Sequence, residues 1–210
     1  RNRNGMIDNG FYASSFRAAA FNLLNNSNCN VLLHSEILQV NMIGNKIDSL
    51  TVLINGVEYV IRASVFIDTT GDAQLLYLGN FPYAKGDEKT GKLQALTLFF
   101  RMINIDIKTV TEYAKANKDN FFDWMEYDFD FKKILSIAGY FKQVKKAITE
   151  GRLQEDVQYI FFTTLPESGE GSFNTSNILG VDASASFNLT HAELIGRKQV
   201  AQVVKLLQDE

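Results

Sequence analysis

Two histidines and one cysteine are all the imidazole and thiol chemistry that this chain contains. His34 and Glu36 lie two residues apart, so on a strand they share a face and could ligate a metal. No second cluster accompanies them, and the plainer reading is a polar strand edge. His191 sits in the expected first turn of a helix, as a solvated residue, and no Ser/His/Asp or Cys/His arrangement can be assembled around it. Cys29 opens an expected strand and reads as a small buried hydrophobe. Phe121 to Phe131 (FFDWMEYDFDF) alternates aromatics with carboxylates. It could line a sugar or cation site, with Asp128 and Asp130 as paired acids. The plainer reading packs the rings inward and leaves the acids outward. One corner stands apart. Val65-Phe66-Ile67-Asp68 reads as a short buried strand that runs into Thr69-Thr70-Gly71-Asp72 and then a short helix, Ala73 to Leu78. A strand ending at a helix start is where an open sheet places ligands. Glycine permits close backbone approach there, and amides at a helix start attract anions or polar hydroxyls. Neither G-x-G-x-x-G after a strand nor G-x-x-x-x-G-K-[ST] occurs in the chain.

The elements around these residues follow from periodicity. Tyr12 to Asn25 carries Phe16, Ala19, Ala20, Leu23 and Leu24 at helical spacing, and Asn25-Asn26-Ser27-Asn28 stops it. Asn30 to His34 suits a buried strand. Ile37 to Ile43 alternates, Gly44-Asn45 turns the chain, Ile47 to Ile54 returns it, and Asn55-Gly56 leads into Val57 to Arg62. Asn-Gly is the strongest two-residue hairpin signal, so these three strands predict an antiparallel meander. Pro82 to Leu93 reads as a loop or domain crossing, and Gln94 to Ile103 as a strand. Ile107 to Lys118 and Phe129 to Glu150 read as mostly helical, Val157 to Leu165 as a strand, and Pro166 to Ser172 as a loop. Thr190-His191-Ala192-Glu193 has the pattern of a capping box, opening a helix that runs to about Gln208.

With 210 residues, 46% hydrophobic and 21% charged, the composition is that of a globular, soluble chain of one large or two small domains. A net charge of −3 gives no footprint for nucleic acid, and no apolar run reaches the roughly 18 residues of a membrane helix. A single cysteine cannot form an intramolecular disulfide, which tilts the expected location to the cytoplasm. The opening Arg1-Asn2-Arg3-Asn4-Gly5 reads as a start inside a longer protein.

Four segments together resemble the FAD-dependent oxidoreductases of the glutathione-reductase-like superfamily, in the bacterial group known simply by that description. YASSFRAAAFNLLNNSNCNVLLHSEILQV resembles the helix and strand before that family's meander, and VFIDTTGDAQLLYLGNFPY its second flavin-binding signature. QALTLFFRM resembles the strand entering the substrate domain, and FNTSNILGVDASASFNLTHAELIGRKQVAQVVKLLQ the segment returning from it. Asn104 to Asp156 carries no such motif. The resemblance implies an α+β fragment: a partial FAD-binding domain over residues 1–80, a substrate domain over 81–175, and a return segment with its helix over 176–210.

It also implies three cofactor contacts. The backbone of Ile37 would meet the adenine edge. Thr70 and Gly71 would pack on the ribose and pyrophosphate, and Asp72 would cap the following helix and reach the cofactor directly or through water. Thr69 stands where the family usually has Ala, Asn80 where it has a small apolar residue, and Asn177 where Arg is common. The family's N-terminal strand-GxGxxG-helix has no counterpart here, nor does the part that completes the flavin sheet. The chain is therefore expected to be an internal piece of a flavoenzyme that transfers a hydride between a small organic substrate and FAD. Alone it should be inactive and hold FAD weakly or not at all. No catalytic residue, metal or oligomeric state is assigned. Two other readings stay open: a non-catalytic α+β binding module whose TTGD only caps a helix, and a carbohydrate-active module built on the aromatic-acidic run. An upstream reading frame encoding strand-GxGxxG-helix would decide between the flavoenzyme and the binding module.

Overall fold

The computed structural model describes residues 13–131, 134–165 and 168–209. The residues at Arg1 to Gly5, the expected helix start at Tyr12 and the loop start at Pro166 lie outside this set. The fold is α+β, with a three-stranded and a four-stranded sheet, both antiparallel. The chain divides into two compact units, one ending at Lys85 and the other beginning at Gly86.

The first unit opens with α1 (Ala13–Asn25), followed by β1 (Ser35–Ile43), β2 (Lys46–Ile54) and β3 (Val57–Ile61), paired in the order β1-β2-β3. The meander is the one that the turns predict. Asn55 and Gly56 have φ of 48° and 84°, the two positive values of a type I′ turn. Gly56→Val should destabilise this unit by about 1–2 kcal/mol, because a β-branched residue resists that conformation. Urea unfolding that left the midpoint unchanged would refute this. Val40, Leu50 and Val52 form the small core of the unit together with Leu75 from α2 (Gln74–Leu78).

Two expected strands are not strands. Asn30 to His34 and Val65 to Asp68 belong to no strand and to neither sheet among the described residues. Leu33 is 60% exposed and Ile67 80%. A short apolar run becomes a strand only when a neighbour completes its ladder, and none of the described residues does so here. Cys29 is correspondingly exposed rather than buried. His34 takes φ of 53° just before β1, so it does not share a strand face with Glu36. Helix α1 forms as expected, yet none of its stripe is buried.

The second unit contains β4 (Phe100–Met102), α3 (Ile107–Ala116), β5 (Leu135–Gly139), α4 (Phe141–Thr149), β6 (Ile160–Leu165), β7 (Glu170–Phe173) and α5 (Ser186–Asp209). The sheet order is β4-β7-β6-β5. Of the expected strand from Gln94 to Ile103, only β4 is regular, with one further bridge between Leu96 and Ile178. The expected helix from Phe129 to Glu150 is instead β5 followed by α4. Leu135, Ile137, Ala138 and Gly139 are buried, and a strand buried on both faces is indistinguishable from a buried helix by periodicity. Tyr140, at φ of 62°, separates the two elements.

Glu170 to Ser172, expected in a loop, forms with Phe173 a strand that pairs with both β4 and β6. A Cβ on Gly171 would lie 2.7 Å from the Ile105 Cδ1 and 3.0 Å from the Phe173 ring, so a larger residue would require these side chains to shift. The expected capping box is also absent. Helix α5 begins four residues before Thr190, whose hydroxyl donates back to the Ser186 carbonyl, while Glu193 pairs with Arg197 on the next turn. His191 is exposed, in the second turn of the helix.

The core of this unit joins Phe162, Phe173 and Ile137 of the sheet to Ala114 of α3, Val144 and Ala147 of α4, and Val203 and Leu206 of α5. The aromatic-acidic run packs as its plainer reading holds. Phe121 and Met125 are buried, and Phe122, Tyr127 and Phe129 pack against the same core. Asp123, Glu126, Asp128 and Asp130 are all exposed. Most of the rings that would line a sugar site are therefore engaged in the core, and of the run's aromatics only Trp124 and Phe131 are exposed.

Candidate functional site

The corner after Val65 to Ile67 is organised by Asp68, which the sequence reading treated only as the end of a strand. One carboxylate oxygen accepts from the Thr70 amide at 2.9 Å and the Thr70 hydroxyl at 2.7 Å. The other accepts from the amides of Leu75 at 3.1 Å and Leu76 at 3.3 Å. These bonds hold the Asp68 carboxyl below the usual carboxylate range, with the Thr70 hydroxyl as the largest influence. Thr70 Oγ1 in turn accepts from the Gln74 amide at 2.8 Å.

The first amides of α2 are thus taken by Asp68 and Thr70, and the expectation that Asp72 caps this helix is corrected. Asp72 is exposed and bonds to none of the described residues. Ala73, the residue before the helix, adopts the left-handed conformation with φ 51° and ψ 43°. That turn points the chain away from Asp72, and the cap comes from four residues further back.

Closing the start of α2 leaves a different set of donors. The amides of Gly71, Asp72 and Ala73 donate to nothing among the described residues. A Cβ built on Gly71 meets no atom within 4 Å. Three successive amides without a protein acceptor, beside an open glycine and ending in a left-handed residue, are donors that oxygens of an anion could use. The far end of α2 is also sealed. The Asn80 amide donates to the Tyr77 carbonyl and the Phe81 amide to the Leu76 carbonyl, with Asn80 at φ of 53°. This is a Schellman closure, and it explains why Asn is acceptable where a small apolar residue was expected, since Asn tolerates the left-handed region.

Ile37 lies in β1 opposite Val52, half-buried, and its carbonyl accepts from the Gln74 side chain at 3.2 Å. The structure therefore brings Ile37, Thr70 and, through the same short helix, Gly71 and Asp72 into one neighbourhood. Gln74 is the link, and only its position in the first turn of a short helix could have signalled it. Thr69 is exposed at the same corner. In the second unit Asn177 is occupied structurally. Its side chain donates to the Asp156 carbonyl, and its backbone exchanges two bonds with the buried Gln199 of α5. No group of three or more His, Cys, Asp or Glu side chains able to hold a metal occurs among the described residues. No helix among them is long and apolar enough to cross a membrane.

A model of the FAD dependent oxidoreductase family matches residues 2–210. The chain belongs to that family. No curated protein and no solved structure matches it. The amides of Gly71, Asp72 and Ala73 are donors, and the family's cofactor carries phosphate oxygens that accept. The helix amides that usually serve an anion are not available for it, because Asp68 and Thr70 already fill them.

Proposed function

We propose that this FAD-dependent oxidoreductase chain is an internal piece of a larger flavoenzyme, in which the first unit supplies one side of the FAD site and the second belongs to the substrate domain. The reaction class is hydride transfer between a small organic substrate and FAD. The observation that carries this reading is the Thr70–Ala73 corner, with its three free amides and open space at Gly71. Gly71, Asp72 and Ala73 would hold cofactor oxygens, Thr70 would pack beside them, and the β1 backbone at Ile37 would flank the adenine. Bound flavin supplies the redox chemistry, and the protein supplies position and electrostatics.

The uncovered apolar surface of the first unit supports the larger parent. Val31, Leu32 and Leu33, Val65 and Ile67, and the stripe of α1 are exposed in a unit whose own core is small. Apolar exposure on this scale in so small a unit suits surface that a further part of the protein covers. A strand-GxGxxG-helix elsewhere in the same polypeptide would pair with the extended runs and complete the phosphate site. The second reading, a binding module whose corner merely caps α2, draws on the Asp68 and Thr70 bonds described above.

Gly71→Val separates the two. In the complete protein this substitution should abolish most FAD retention while leaving the melting temperature of the apoprotein unchanged, because the Cβ position at Gly71 is open and the added side chain enters ligand space. Equal FAD content in wild type and variant, measured by flavin absorbance, would remove the corner from the cofactor site.

A further inference from the structure

We propose that Asp68 is the positioning residue of the flavin corner, an inference that rests on the flavin reading above. Its carboxylate never needs to touch the cofactor. By accepting from Thr70, Leu75 and Leu76 at once, it folds the chain between residues 68 and 76 into a closed loop. Two consequences follow from that closure. The amides that would otherwise compete for an anion at the start of α2 are removed, so the ligand is directed to Gly71, Asp72 and Ala73. The loop is also tied to the meander, since Thr70 holds the Gln74 backbone while the Gln74 side chain reaches the Ile37 carbonyl. Asp68, Thr70, Gln74 and Ile37 thereby form a continuous relay from the corner to β1, and the two places at which the cofactor is expected move together.

Bonds to a charged acceptor are shorter and stronger than neutral ones, and the two to Leu75 and Leu76 are partly buried. An asparagine keeps one acceptor and converts the other into a donor, so in either orientation one oxygen position no longer accepts, and the acceptor left to the Leu75 and Leu76 amides carries no charge.

The test compares Asp68→Asn with Gly56→Val in the complete, flavin-loaded protein. Gly56→Val weakens the same unit at its hairpin without touching the corner. Asp68→Asn should accelerate hydrogen exchange at the Leu75 and Leu76 amides and raise the FAD dissociation constant, each by about tenfold or more. Gly56→Val should leave the FAD constant unchanged. If both variants weaken FAD alike, Asp68 has only a structural role and the inference is overturned. It is overturned equally if Asp68→Asn loosens the two amides and FAD still binds as before. Should Asp68→Asn fail to fold, Thr70→Val breaks the same relay at its next link and is held to the same two outcomes. Failure of the flavin reading looks different: Gly71→Val then retains full FAD, whatever Asp68→Asn does, and this inference falls with that reading.

Discussion

Phe162→Ala should lower the stability of the second unit by about 3–5 kcal/mol, the cost of emptying a large ring from a packed core. Phe162 is 2% exposed. Its ring stacks on Phe173 at 4.6 Å between centroids, and Phe173 stacks on Phe100 at 4.9 Å, both with an interplanar angle of 17°. Ile137 faces Phe162 across the next strand. The row thus crosses all four strands, and Phe162 lies between Ile137 and Phe173. Loss of its ring also removes the partner that holds Phe173 in place, so little collapse can refill the space. Chemical denaturation of the wild type and variant measures the difference. A loss below about 1 kcal/mol, the size of an ordinary surface substitution, would show that the row is not a core.

Gly139→Ala should destabilise the same unit by about 3 kcal/mol, which is large for one methyl group. Gly139 lies between two backbones, paired with Ile160 on one side and bridged to Phe121 on the other. An added Cβ would stand 2.6 Å from the Asn120 carbonyl oxygen and 2.6 Å from the Phe121 Cα. These are main-chain atoms, so no rotamer change relieves the contact. The segment that must retreat carries Asn120, which is fully buried. Asn120 donates to Tyr113 and Gln143 and accepts from the Lys142 amide at 2.7 Å. Displacing it strands polar groups away from water, which adds to the steric cost. Thermal melting with near-ultraviolet circular dichroism would register both losses, and an unchanged melting temperature would refute the prediction.

The features that could be read in advance are those governed by a few neighbouring residues. Asn55-Gly56 specifies its turn because both residues accept positive φ, and the alternation on either side specifies which face is buried. Phe121, Phe122, Tyr127 and Phe129 turn inward because burying rings is favourable and burying unpaired carboxylates is not, while Trp124 and Phe131 stay exposed. The TTGD corner was visible as a place for a ligand, but its internal wiring was not. Sequence proximity made Asp72 the obvious cap for α2, whereas the structure uses Asp68, whose reach depends on the left-handed turn at Ala73.

Spacing and local conformational preference thus settled the meander, its turns and the position of the corner. Long-range contact settled the rest. Leu135 to Gly139 is a strand because β6 lies beside it, and Glu170 to Phe173 is a strand because β4 and β6 flank it. Asn30 to His34 and Val65 to Asp68 have the composition of strands and join no sheet among the described residues, since a ladder needs a second backbone that no local pattern can provide. The same distinction governs the candidate site. Residue type made glycine and threonine plausible beside a phosphate, but which amides stay free depends on where the Asp68 carboxylate arrives after the chain has folded back on itself.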